Sequence, residues 1–278
     1  MTNVAEKAKP DVHKPDVKVK TPAFRISTES IERLLNFASP LILLLIWELA
    51  ARLGFIDVRF FPAPSKIFSQ LLILAENGSL WVNFWASMQR LFWGFLFGGI
   101  PALVLGVTMG LSRPLRMLVE PLISATYPVP KSAILPLVLL ICGLGEASKI
   151  VMVAIGIFYP IVINSMAGVL EINKIHFDVS RNFGASRWQV FRTVALPGAM
   201  PLILTGVRLG IGLGLVLISL AEIVGAKSGL GYMMWNAWEI LSVETMYVGL
   251  LVIAILGIAF SQSITELERF IVPWKHGR

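Results

Sequence analysis

The strongest constraint on this chain is a set of long apolar runs from which charge is almost absent. The runs 91–112, 150–170 and 245–265 contain no charged residue, 198–221 is interrupted only by Arg208, and 121–145 only by Lys131. A helix rises about 1.5 Å per residue, so about 20 apolar residues cross the ~30 Å hydrocarbon core of a bilayer. A further run, 34 to about 55, carries Glu48 and Arg52 near its far end. The expectation is an all-α membrane protein with six transmembrane helices. Apolar residues make up 56% of the chain, above the roughly 45–50% of soluble domains.

Six crossings bring both termini to one side, and the basic residues say which. The tail's side holds the Lys and Arg of 1–33, then Arg113, Arg116, Lys174, Arg181, Arg187, Arg192 and those of 269–278. The opposite loops offer only Arg59, Lys66, Lys149 and Lys227. The positive-inside bias therefore predicts cytoplasmic N- and C-termini. It also accounts for the net charge of +7 without nucleic acid. Residues 1–25, polar and proline-bearing with KPDV at 9–12 and again at 14–17, read as a disordered cytoplasmic tail.

Several chemistries have no residues to carry them. The one cysteine, Cys142, allows no disulfide framework. His13, His176 and His276 are scattered, giving no metal-ligand spacing. There is no GxxxxGK[ST] phosphate loop, so ATP-driven work must come from a partner.

Local signals fill in the membrane domain. In the first outer loop, FPAP at 61–64 is an extended opener, Ser65 is expected to cap a helix through Leu74, and Asn77-Gly78 is a turn. Trp81 and Trp85 fall where an interfacial aromatic belt would lie. Gly94 and Gly98, Gly106 and Gly110, and Gly206 and Gly210 are each four apart, a spacing that lets helix backbones approach closely. Pro128, Pro130 and Pro136 interrupt the third crossing around Lys131. Irregular backbone at that depth is tolerated only against protein or a water-lined cavity, and a lysine among it either lines such a passage or snorkels to an interface or pairs with a buried carbonyl. Lys131 and Pro130 are therefore candidates for the solute pathway.

Between two of the runs lies a basic amphipathic insert, 178–197, DVSRNFGASRWQVFRTVALP. Asp178 to Phe183 reads as the end of a helix closed at Gly184, which can take the left-handed conformation. In a second short helix, Trp188, Val190, Phe191 and Val194 form an apolar face, with Arg187 and Arg192 on the polar side. Pro197, lacking an amide proton, is expected to break the pattern before a new run begins. Arg208 would then lie about two turns into the fifth crossing, where it is expected to reach back and brace the insert.

This insert resembles the EAA loop of the membrane subunits of binding-protein-dependent ABC importers. That loop has a Glu-Ala-Ala triplet, three residues, a glycine, nine residues, then Ile-x-Leu-Pro. Here Asp178-Val179-Ser180 occupy the triplet position, Gly184 the glycine, and Val194-Ala195-Leu196-Pro197 the close. The spacing matches, while the triplet departs. Similarity to the nitrate, taurine and aliphatic-sulfonate branch continues through FPAPSKIF, YPVPKSAILPL, GLGEASKI, TGVRLGIGLG, Ala221-Glu222 and SGLGYMM. Departures are Ile141-Cys142-Gly143, where many relatives have Trp-Phe-Gly, and Leu220 in place of a second alanine. Both fall in the outer half, where a solute would enter, so Cys142 and Glu222 join the pathway candidates.

The resemblance implies a type I ABC importer permease fold over 26–278, with a coupling loop at 171–197, in a bacterial inner membrane. It implies a second copy of the chain, two cytoplasmic ATPase subunits and a periplasmic solute-binding protein as partners. Asp178, Val179, Ser180, Phe183, Gly184, Ala185, Ser186 and Arg187 would then meet the ATPase. ATP and Mg would be held by that partner, with no cofactor on this chain, and the solute would be a small anion or organic acid. The competing reading is an ion-coupled carrier or channel, which wants intramembrane acid or His relays. A membrane-embedded enzyme wants clustered His, Asp or Glu, and the crossings offer neither.

Overall fold

The computed structural model describes residues 28–273, and the side chains of 38–273. The tail expected at 1–25 lies outside the described residues. In chain order the helices are α1 (Thr28–Arg52), α2 (Pro64–Glu76), α3 (Ser79–Leu111), α4 (Arg113–Thr126), α5 (Lys131–Cys142), α6 (Glu146–Leu170), α7 (Lys174–Asn182), α8 (Arg187–Ile223), α9 (Leu230–Glu239) and α10 (Val243–Ile271). No strand occurs among the described residues. Contacts divide the chain into two compact units, Met1–Ile46 and Trp47–Arg278. The first contributes the start of α1, with Pro40 inside the helix. The second holds the last turns of α1 and every other helix.

Helices α3, α6, α8 and α10 are each long and apolar enough to cross a bilayer, and α4 with α5 forms a pair bent by 87°, a broken fifth span. Helix α1 covers 34–52 of the first expected run but is not among these spans, so a helix or the broken pair lies at each of the six expected runs.

Helix α6 is the centre of the fold. Met152, Val153, Ile157, Ile161 and Val162 on it are fully buried. It is flanked by α3 on one side and α8 on another. A Cβ added to Gly94 would stand 2.3 Å from Val153, at Gly98 2.4 Å from the Ala154 carbonyl, at Gly106 2.5 Å from the Val162 carbonyl, and at Gly110 2.5 Å from Val169. The matched positions rise together, so α3 runs parallel to α6. On α8 the order reverses, with Gly206 against Pro160 and Asn164, and Gly210 and Gly214 against Ile157. The glycine pairs seen in the sequence thus form two ridges on which one helix lies at backbone contact.

Two wide turns interrupt the long spans. Residues Phe95–Gly99 in α3 and Phe191–Ala195 in α8 are π-helical. Each ends with an amide donating five residues back, Ile100 to the Phe95 carbonyl and Leu196 to the Phe191 carbonyl. A proline follows each, Pro101 and Pro197. The wide turn has already shifted the hydrogen-bond ladder where the proline supplies no donor, and it makes room for the ring. Pro197 therefore does not break the chain into a new helix as expected; α8 runs through it from Arg187 to Ile223.

The outer loop also differs from expectation in its cap. Helix α2 begins after Ala63, and Ser65 makes no cap hydrogen bond of its own. The Glu48 carboxylate on α1 accepts from the Ser65 amide (3.0 Å) and hydroxyl (2.8 Å), placing negative charge at the helix N-terminus. Asn77-Gly78 turns as expected, with Gly78 at φ +80° and the Asn77 side chain accepting from the Ser79 amide. In the exposed turn before α2, hydrogen bonds from the Arg59 side chain hold the Asp57 carboxyl below its ordinary pKa.

At the α2 end of the bundle a polar cluster clasps α3, α6 and α8 together. Arg90, 3% exposed, forms a bidentate pair with Glu146 (2.6 and 2.7 Å). It also donates to Glu222 at 2.8 Å and to the Ser228 carbonyl at 2.7 Å. Glu222 is fully buried and accepts as well from Ser87 Oγ and the Gly231 amide. Ser87 accepts in turn from the Leu230 amide, and Asn83 from the Gly229 amide. Lys149, 1% exposed, donates to the Leu144 and Gly225 carbonyls. Two cations face two carboxylates, so the cluster is neutral, and the α8–α9 connection supplies much of its remaining hydrogen bonding.

Two predictions test these contacts. Gly98→Leu drives a side chain into the Ala154 backbone, which cannot move aside as a flexible side chain could; a loss of about 1–3 kcal/mol is expected. Gly212→Ala, where a Cβ meets nothing within 4 Å, is expected to be neutral in the same thermal-unfolding measurement. Equal melting of the two variants would remove the close-approach account. In the clasp, Arg90→Met leaves Glu222 buried and unpaired and is expected to cost about 3–5 kcal/mol. Glu146→Gln, at a side chain 65% exposed, should cost about 1 kcal/mol or less, and the reverse ranking would show that the buried pair is not the anchor.

Candidate functional site

The basic insert forms an arm at the opposite end of α6 from the clasp. Asn173 caps α7 by accepting from the Ile175 amide. The helix closes after Asn182, with Gly184 at φ +72°. The Gly184 amide donates to the Arg181 carbonyl (2.9 Å) and the Ala185 amide to the Ser180 carbonyl (3.0 Å), the Schellman arrangement that a left-handed glycine permits. Ser186 then opens α8 with a capping box: its hydroxyl accepts from the Gln189 amide, and the Gln189 side chain accepts from the Ser186 amide. The reversal at Gly184 is thus fixed on both sides by hydrogen bonds local to the insert.

The arm presents an uncovered apolar surface. Phe183 is 87% exposed, Trp188 66% and Val179 46%. Trp188 stacks on Phe191 with ring centroids 5.2 Å apart. Asp178 and Arg187 are exposed, Ser180 and Ala185 half-buried, with the Ser180 hydroxyl donating to the Phe177 carbonyl. At Gly184 an added Cβ would meet nothing within 4 Å. The candidate contact residues of the insert therefore gather at one reversal of the chain.

The pathway candidates do not form one group. Pro130 and Lys131 sit at the break between α4 and α5. The Lys131 ammonium donates to the carbonyls of Thr126 (2.9 Å), Tyr127 (3.0 Å) and Val129 (3.0 Å) and lies 3.9 Å from the Tyr159 ring centroid. It gathers carbonyls at the end of α4 and in the turn after it, the Thr126 carbonyl accepting from the Val129 amide (3.3 Å) as well. Residues 124–130 around it are exposed. Cys142, half-buried, packs against the Val138, Met152, Leu217 and Ala221 cluster. Glu222 has no free surface, because its carboxylate belongs to the clasp.

Arg208 does not brace the arm. Its guanidinium donates to Thr265 Oγ1 (3.1 Å) and Glu268 Oε2 (3.2 Å), joining α8 to α10. Because α8 is continuous from Arg187, Arg208 stands about 30 Å along the helix from the arm's second turn, beyond its reach. Sequence reasoning also passed over the clasp. Its partners lie inside GLGEASKI and SGLGYMM and beside Ala221, but nothing local to Arg90 shows that they meet.

Comparison with known proteins agrees with this architecture. Residues 102–275 match the family model described as a binding-protein-dependent transport system inner membrane component. The chain is 37% identical over 252 residues to the taurine transport system permease protein TauC of Escherichia coli K12, covering 87% of this chain and 90% of that one. It is 35% identical to the putative aliphatic sulfonates transport permease protein SsuC of the same organism, covering 84% and 89%. Among solved structures, an inward-facing MetNI methionine ABC transporter chain superposes with a TM-score of 0.60 at 22% identity, covering 69% of this chain and 97% of that one, a likeness of fold. The buried α6, its flanking spans and the broken α4–α5 pair are those of a multi-pass permease, and the chain belongs to the inner membrane component family of binding-protein-dependent ABC importers.

Proposed function

We propose that this chain is the permease of an ATP-driven importer for a small sulfonate-type anion, working as a pair of copies with two cytoplasmic ATPase subunits and a periplasmic solute-binding protein. The solute class comes from the taurine and sulfonate names of the relatives. ATP and Mg belong to the ATPase, and this chain holds no cofactor. The observation that carries the coupling assignment is the arm: a locally fixed reversal with Phe183 and Trp188 exposed beside it suits docking into a partner. With the arm and both termini cytoplasmic, movement of the ATPase pair reaches α6 and α8 through α7 and the first turns of α8.

The broken span is the proposed solute path. Its backbone at 127–130 is exposed and irregular, with the Tyr127 and Val129 carbonyls met by the Lys131 ammonium; a charged group holding such a bend within a span suits a second copy or a watery passage beside it rather than lipid. Lys131 keeps that bend closed on itself and makes it positive, which offsets part of an anion's lost hydration.

Two substitutions test these roles. At Gly184 an added Cβ meets nothing within 4 Å, so Gly184→Trp is expected to project toward a docked partner, while its strained φ costs about 1 kcal/mol. Assembly of the paired chains is expected to persist while solute-stimulated ATP hydrolysis and uptake collapse; normal coupled uptake would refute the arm's role. Lys131→Met removes the charge and its carbonyl contacts, and uptake is expected to drop about tenfold in complexes that still assemble and hydrolyse ATP. Unchanged uptake in that variant would confine Lys131 to capping α4.

A further inference from the structure

Beside the arm is a cavity of about 910 Å³ whose lining shares Asp178, Ala185 and Arg187 with the coupling candidates and adds Arg113, Lys174 and Arg181, to which the transport reading gives no role. The last residues of two spans, Leu111 of α3 and Leu170 of α6, contribute to its wall, so it opens where the chain leaves the hydrocarbon. Its other walls come from the α3–α4 turn, from α7 and from the first turns of α8. Four cations line it, Arg113, Lys174, Arg181 and Arg187, against one carboxylate, Asp178. None of the four charged groups has a hydrogen-bond or ion-pair partner among the described residues. Four like charges around one concavity repel one another and raise the local concentration of anions.

We propose that this cavity binds a phosphate-bearing anion at the membrane boundary, supplied either by the headgroup of an anionic phospholipid or by a free oxyanion. The anion would join Arg113 at the start of α4 to Lys174 and Arg181 on α7, and so stiffen the arm against the span ends. Guanidinium groups offer paired donors that match phosphate oxygens, and the neighbouring Leu111 and Leu170 suit the start of an acyl chain. The proposal goes beyond transport of the solute and rests on the preceding reading only in placing this face in the cytoplasm.

The test follows thermal unfolding of the purified full-length chain in detergent, titrated with phosphatidylglycerol, with phosphatidylcholine, or with sodium phosphate. Stabilisation by phosphatidylglycerol but not phosphatidylcholine assigns a lipid source, and stabilisation by millimolar phosphate assigns a free one. Arg113→Gln with Lys174→Gln should weaken the apparent affinity about fivefold per charge. Arg113→Lys with Lys174→Arg should retain it, and Lys174→Gln alone is read if the double variant does not fold. Arg116→Gln, outside the lining, should change nothing. No response to either anion, or equal loss in Arg116→Gln, overturns the site. So does disappearance of the response once the ATPase is bound, which would give the cavity to that protein. Solute uptake, measured separately in vesicles, distinguishes failure of this site from failure of the transport reading.

Discussion

Backbone-to-backbone approach at α6 is the contact on which the rest of the membrane domain depends. In a bilayer, apolar side chains gain little by leaving lipid for protein, so helices associate through close packing and hydrogen bonds. The glycines of α3 and α8 allow that packing on two sides of one helix, with carbonyls of Ala154, Val162 and Pro160 close to the facing backbones. The parallel neighbour and the antiparallel neighbour both follow from which glycine meets which residue. Once α6 is enclosed, its two ends have fixed places: the clasp at Glu146 and the arm after Leu170.

Those two ends use polarity in opposite ways. At the clasp, charges are withdrawn from solvent and matched two against two, an arrangement whose net worth is small but whose disruption is costly. Its geometry specifies how the α8–α9 connection returns to α3. At the arm the charges stay exposed and the hydrogen bonds are local, within α7, the Gly184 turn and the first turn of α8. A closed clasp and an open arm thus stand at the two ends of one helix.

Much of this was legible because its causes are local. Charge-free runs mark spans, glycines four apart mark close helix faces, and a glycine between two short amphipathic pieces marks the turn at 184. The Pro128 to Pro136 region reads as irregular because each ring removes a donor. The remainder depends on partners far along the chain. Arg90 meets Glu222 132 residues away, Arg208 meets Glu268 60 residues away, and Glu48 caps a helix whose Ser65 looked sufficient by itself. Pro197 was misread for a different reason. A wide turn that accommodates a proline is a change of hydrogen-bond register, and no residue type announces it.

The wide turn in α3 also settles a question of angular phase. Gly94, Gly98, Ala102, Gly106 and Gly110 advance by four residues, and each such step overshoots a full α-helical turn by about 40°. Over the whole series the last glycine would point to nearly the opposite side of a straight α-helix from the first. The π turn at 95–99 holds back part of that rotation, so glycines from both halves face α6. A four-residue stripe sustained over this length therefore records a helix that is unwound within it. The unwinding sets the azimuth of Asn83, Ser87 and Arg90 relative to the far end, so the clasp depends on a turn that contains none of its residues.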